Sequence, residues 1–162
     1  MKTIHFIIVV FILISSQLFG QNTNSVVIFN GRGETIKSQK ILDLSYQNLT
    51  EFPARALNPE IETLILDNNN LTTLPTWIGQ LKKLKILSLR NNRFKQLDFG
   101  INNCENLEQL YLSGNTELSD ISAINSTSKI KLIDVTDTKI NALPAGVQMM
   151  DNLFYFKYTK KE

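Results

Sequence analysis

The pattern Leu-x-x-Leu-x-Leu-x-x-Asn-x-Leu recurs along the chain at an almost constant interval. It first reads Ile61, Leu64, Leu66, Asn69, Leu71. It returns 23 residues later as Leu84, Leu87, Leu89, Asn92, Phe94, and after 23 more as Leu107, Leu110, Leu112, Asn115. Two further steps give Ile130, Ile133, Val135 and then Leu153, Phe156, Tyr158. A period in the twenties constrains the fold more than any other feature of this chain. Units of that size cannot bury a core alone, so they must stack and share one.

Counting Leu84 as position one, positions one, four, six, eleven and fourteen are apolar: Leu84, Leu87, Leu89, Phe94 and Leu97. Alternation at four and six predicts a short strand with one face buried. The later apolar positions bring the chain back over the core. In the preceding unit the return reads Leu74-Pro75-Thr76-Trp77-Ile78-Gly79-Gln80-Leu81. Pro75 suits the start of a helical turn, with Ile78 and Leu81 on one face. Position nine sits where the backbone leaves the strand ladder. A buried amide there can both donate and accept, satisfying groups in its own unit and the next. Asn69, Asn92 and Asn115 are expected to form that ladder, while Gln47 and Thr138 replace Asn near the two ends.

These motifs resemble the leucine-rich repeat family, over about residues 39–160. The resemblance implies an α/β fold, a right-handed superhelical solenoid. Its concave side is a parallel β-sheet, and its convex side carries short helical or 3-10 turns. Phe52-Pro53, Leu74-Pro75 and Leu143-Pro144 resemble the variety with Leu-Pro-x-x-Ile on the return. The fourth unit departs from it. An extra residue follows Asn115, and the stretch Leu118 to Ile124 is similar to internalin-type repeats. Its Asn125–Lys129 tail lacks a late apolar residue, so an irregular convex loop is expected there.

The reading divides the chain into a signal peptide at 1–20, a leader and N-terminal cap at 21–38, and a repeat domain at 39–162. The repeat domain holds about five repeats and a closing strand. Lys2 precedes an apolar run from Phe6 to Ile14. That run is the length of a signal-peptide core and too short to span a bilayer. The chain is therefore expected to be exported. Anchoring by an uncleaved N-terminal segment is the rival, because Leu18 fits the cleavage pattern poorly. Gln21 to Ser25 reads as a loose leader. Val26 to Phe29, with Asn30-Gly31 after it, reads as the first strand of a capping hairpin. At the other end Lys160-Lys161-Glu162 bring charge to an open sheet edge.

Composition narrows the function. Leaving out Lys2, the 17 Lys and Arg become 16, against 15 Asp and Glu. Near-neutral charge argues against a nucleic-acid partner. Cys104 is the only cysteine, so no intrachain disulfide can form, and it reads as an inert core residue. The only histidine, His5, lies in the signal. A chain without another His lacks the usual general base and zinc ligand, so no cofactor and no metal are expected. Asp43, Asp67 and Asp134 lie on an open face, where little desolvation is available to shift a carboxylate.

Strand alternation points positions three, five and seven away from the core. They present a solvent-facing stripe in which Ile65, Ile86, Arg90, Tyr111, Leu132 and Tyr155 are the candidate partner-binding residues, with Tyr111 and Arg90 as anchors. The resulting expectation is a non-catalytic module that binds another protein, with no small-molecule substrate. A membrane-tethered or self-associating spacer is the alternative, and a carboxylate-based hydrolase is less favoured. Trp77, on the convex side, reads as a cover over its neighbouring unit.

Overall fold

The computed structural model describes the backbone of residues 24–29, 35–125 and 128–159, and side chains from residue 40 onward. The expected signal, the Asn30-Gly31 turn and the Lys160-Lys161-Glu162 tail lie outside the described residues. β1 (Asn24–Phe29) pairs antiparallel with β2 (Thr35–Asp43), closing a hairpin over the N-terminal end of the sheet. β1 begins at Asn24, so the last two residues of the expected leader are strand. β2 runs on without a break from the cap into the first repeat. It is followed by β3 (Thr63–Ile65), β4 (Ile86–Ser88), β5 (Gln109–Tyr111), β6 (Leu132–Val135) and β7 (Tyr155–Tyr158). From β2 onward every neighbouring pair is parallel and the strand order is the chain order.

The register places equal repeat positions side by side. Leu42, Leu64, Leu87, Leu110 and Ile133 form one row, each no more than 4% exposed. Leu44, Leu66, Leu89, Leu112 and Val135 form the row beside it and are equally buried. Each such side chain contributes roughly 1.5–3 kcal/mol on burial, which is how units with three-residue strands hold together. Short 3-10 turns return the chain on the opposite side, at Ala54–Ala56, Ile78–Gln80 and Phe99–Asn103. The fifth unit uses a single α-turn, α1 (Ala145–Gln148). Pro53 and Pro144 stand just before their turns, and Pro75 accepts the Ile78 N–H. In the fourth unit the described residues contain no 3-10 or α-helical segment, and the return holds a turn in which Ile121 O accepts the Ile124 N–H at 2.9 Å. An isolated parallel bridge joins Gln96 of the third unit to Asp120 of the fourth, and Leu118, Ile121 and Ile124 are buried.

The position-nine amides are tied as closely as their chemistry permits. Asn69 Oδ1 accepts the Gln47 and Leu49 N–H groups at 3.0 Å, and its Nδ2 donates to the Leu44 and Leu66 carbonyls at 2.9 Å. Asn92 accepts from Leu71 N–H at 3.0 Å and donates to Leu66 O at 2.9 Å and Leu89 O at 3.1 Å. Asn115 accepts from Phe94 N–H and donates to the Leu89 and Leu112 carbonyls. Each amide therefore joins its own unit to the preceding one. The expectation of a link to the next unit is corrected in direction. Two protons on Nδ2 reach two position-six carbonyls at once, its own and that of the unit behind. Thr138, with one hydroxyl, bonds only Val135 O and Ile140 N–H of its own unit. Gln47 is exposed and turns to Arg55 instead.

One residue earlier, at position eight, the backbone is left-handed in every unit: Tyr46, Asn68, Asn91, Gly114 and Asp137 have φ between 52° and 76°. Asn, Asp and Gly tolerate that conformation, whereas a bulky side chain is strained there. Gly114 has a second reason. A Cβ on it would lie 1.9 Å from Asn91 Oδ1.

Candidate functional site

The sheet face opposite the turns carries positions three, five and seven. In register these are Thr63, Ile86, Gln109 and Leu132; then Ile65, Ser88, Tyr111 and Asp134. The two ends of the face satisfy themselves. Asp43 Oδ1 accepts from the Ser45 N–H at 2.9 Å and hydroxyl at 2.6 Å. Asp134 does the same with Thr136, at 3.1 and 2.8 Å.

The central strands are built differently, because their polar groups reach across to the next strand. Asp67 Oδ1 accepts the Ser88 hydroxyl at 2.6 Å and the Arg90 N–H at 2.9 Å. Arg90 Nη1 lies 3.5 Å from Asp67 Oδ2 and donates to Ser88 Oγ at 3.0 Å. Its guanidinium carbon sits 4.0 Å from the centre of the Tyr111 ring, a cation–π stack. The Tyr111 hydroxyl donates to Gln109 Oε1 at 2.8 Å. Arg90 is thereby held from two sides, while over a third of its side chain, 37%, stays exposed. Beside it Ile65 and Ile86 are half-buried. Together these residues line a shallow depression of about 280 Å³.

Of the six residues chosen from the sequence, Ile65, Ile86, Arg90 and Tyr111 share this depression. Leu132 lies one strand beyond it and is half-buried. Tyr155 lies two strands beyond on β7 and is 67% exposed. The stripe is less solvent-facing than strand alternation alone suggested. Thr63 and Ser88 are only 6% and 3% exposed, because short side chains on the face are covered by their longer neighbours. Asp67, Ser88, Thr63 and Gln109 complete the lining and were not chosen from the sequence. A usable signal existed for one of them. Asp67 and Arg90 stand one repeat apart at the same position with opposite charge.

Asp67 is engaged by a main-chain N–H, a hydroxyl and a guanidinium, and the depression is open. Among the described residues no group of three or more His, Cys, Asp or Glu is placed to hold a metal. Nor is any helix among them long and apolar enough to cross a membrane. Cys104 is buried, its Sγ 3.3 Å from Ile78 O, and burial pushes its thiol up to about 11. The thiol stays protonated at neutral pH and is a poor nucleophile. Trp77 packs on the core, its ring edge-to-face with Phe52 of the preceding unit at 5.9 Å.

Comparison with known proteins agrees with this architecture. The leucine rich repeat family profile matches residues 37–94, and a profile for two copies of the repeat matches 82–126. The Arabidopsis thaliana disease resistance protein RPS4B is 32% identical over 133 residues, which is 76% of this chain and 11% of that protein. The 187-kDa microtubule-associated protein AIR9 of Arabidopsis thaliana is 32% identical over 93 residues, 57% of this chain and 5% of that one. The chain thus spans only a small part of these relatives. Among solved structures, a Leptospira interrogans leucine-rich repeat protein is similar at TM-score 0.56 and 26% identity, over 71% of this chain and 36% of that one. The repeat ectodomain of the Arabidopsis thaliana receptor kinase SOBIR1 shares the fold, at TM-score 0.60 and 24% identity, over 86% of this chain and 81% of that one. The repeat register, the parallel sheet backed by short turns, the asparagine ladder and these likenesses agree that the chain belongs to the leucine-rich repeat family.

Proposed function

We propose that this chain is a non-catalytic interaction module that binds a protein partner through the sheet face centred on Arg90 and Tyr111. Leucine-rich repeat domains are generally protein–protein interaction modules and are typically not enzymes. The observation that carries the reading is the stacked pair itself. An aromatic ring and a guanidinium are held rigid beside Ile65 and Ile86 in one depression. Aromatic and Arg side chains fixed next to aliphatic ones are the composition of an interface anchor, and fixing them in advance lowers the ordering cost of binding. The N-terminal apolar run supports the further proposal that the module works outside the cytoplasm, released or tethered.

The test is to capture a partner from the cell envelope with the whole chain and titrate it against two variants by calorimetry. Tyr111→Ala is expected to cost about 2 kcal/mol or more of binding energy. Phe99→Ala removes a 74% exposed aromatic from the opposite side and is expected to leave binding unchanged. The reverse result would move the functional face to the turn side. Mass spectrometry of the N-terminus, in extracellular and membrane fractions, tests export; protein found only in the cytosol with Met1 intact would refute it.

A further inference from the structure

On the turn side, between the first two units, Phe52 and Trp77 stand nearly perpendicular, at 84°. They form two walls of a corner that opens into a cavity of about 320 Å³, lined also by Glu51, Pro75 and Thr76. Packing of the repeat does not demand these rings. The position of Trp77 is taken by Gly100 one repeat later, by Ala123 after two and by Gly146 after three. Phe52 is only half-buried, where its equivalents Leu74 and Leu97 are 6% and 5% exposed. Glu51 is exposed and lines the same cavity. Among the described residues it has no hydrogen bond and no ion pair, whereas Glu60, Glu62, Glu105, Glu108 and Glu117 each pair with a lysine. The nearby cation of the first unit, Arg55, is turned to Gln47 and does not serve it.

We infer that this corner is a second binding site, separate from the sheet face, that takes a lysine or arginine side chain of a partner polypeptide. Ring faces attract a cation through their quadrupole, and a carboxylate without a partner adds the countercharge. The Trp77 indole N–H makes no hydrogen bond within the described residues, so it can donate to a carbonyl of the same incoming segment. A fully apolar ligand would leave both polar groups unused. An anionic one would face Glu51.

Trp77 is the only tryptophan, so its indole N–H gives one isolated resonance in the whole nitrogen-15-labelled chain. The probes are the peptide acetyl-Gly-Arg-Gly-amide, its neutral counterpart acetyl-Gly-Gln-Gly-amide, and tetramethylammonium chloride, at matched ionic strength. The arginine peptide is expected to shift that resonance saturably and the glutamine peptide is not. Glu51→Gln, a surface change that leaves the fold intact, should weaken the arginine peptide about threefold, the scale of an exposed charge pair. Tyr111→Ala should leave the response unchanged, which separates this site from the sheet face. Absence of a saturable shift, an equal response to the glutamine peptide, or undiminished affinity in Glu51→Gln would overturn the site. Tetramethylammonium binding as tightly as the arginine peptide would overturn its assignment to a polypeptide side chain.

Discussion

Two rows of residues lie next to each other on the same strands and obey opposite rules. The row Leu42, Leu64, Leu87, Leu110, Ile133 is nearly uniform, and each member is buried. The row beside it, Asp43, Ile65, Ser88, Tyr111, Asp134, has hardly two members alike at its centre. Uniformity belongs to the side that packs, because stacked units offer the same cavity to each successive side chain. Variety belongs to the side where no fixed neighbour imposes a shape. The packed row is thus repeated along this chain, while the open row varies most in units two to four.

The strongest way to break the contrast is to truncate one member of each row. Leu87→Ala empties a fully buried site and is expected to cost about 2–5 kcal/mol in urea unfolding. Tyr111→Ala on the next strand, half-buried on the open face, is expected to cost clearly less. Equal midpoints would mean that the face contributes to the core. The turn rows come next. Asn92→Ala leaves the buried Leu71 N–H without its acceptor, at about 1–3 kcal/mol, and takes one of two amide donors from each of the Leu66 and Leu89 carbonyls, which keep Asn69 and Asn115. Asn91→Ala loses one exposed bond to Asn68 and places Ala at φ 52°, a cost of about 1 kcal/mol. If the two variants unfold together, position nine does not carry the ladder.

A smaller effect, of opposite sign, is expected at Tyr46. It holds a bulky side chain at φ 57° and is 76% exposed. Tyr46→Asn should stabilise the chain by about 0.5 kcal/mol by relieving that strain. The smallest effect concerns Glu60, whose carboxyl is held below the usual glutamate range by hydrogen bonds from Lys83 and Lys40. A depressed carboxylate contributes stability above its ordinary pKa and loses it as pH falls through the lower folded value. Glu60→Gln should therefore remove a slight acid dependence from the unfolding curve and leave neutral-pH stability almost unchanged. A large loss at neutral pH would contradict the exposed, solvent-screened character of these pairs.

Much of the scaffold is visible in the sequence because the repeat is a local, periodic code. The spacing of Leu64, Leu66 and Asn69 states strand, core and turn within six residues, and recurrence states the stacking. The fourth unit is also visible, since the extra residue after Asn115 disrupts the pattern in the unit that lacks a short helical segment. The bridge between Gln96 and Asp120 depends on how two units settle against each other, which no local pattern encodes. At the candidate site, alternation identified Ile65, Ile86, Arg90 and Tyr111 as residues of one face. It could not show that Asp67 and Ser88 would hold Arg90 over Tyr111, because the Asp67–Ser88, Asp67–Arg90 and Arg90–Tyr111 contacts join residues about one repeat apart in the chain.

By itself, then, the sequence determined the repeat, its register, the buried rows and the asparagine positions, since each follows from spacing within a single unit. Only the tertiary structure decided what happens between units. It sets the backward reach of Asn69, Asn92 and Asn115, the covering of Thr63 and Ser88, the clamp on Arg90 and the corner between Phe52 and Trp77. The physical reason is distance. Parallel strands bring equivalent residues to about 4.8 Å in space, and side-chain size and charge across that gap decide which groups meet.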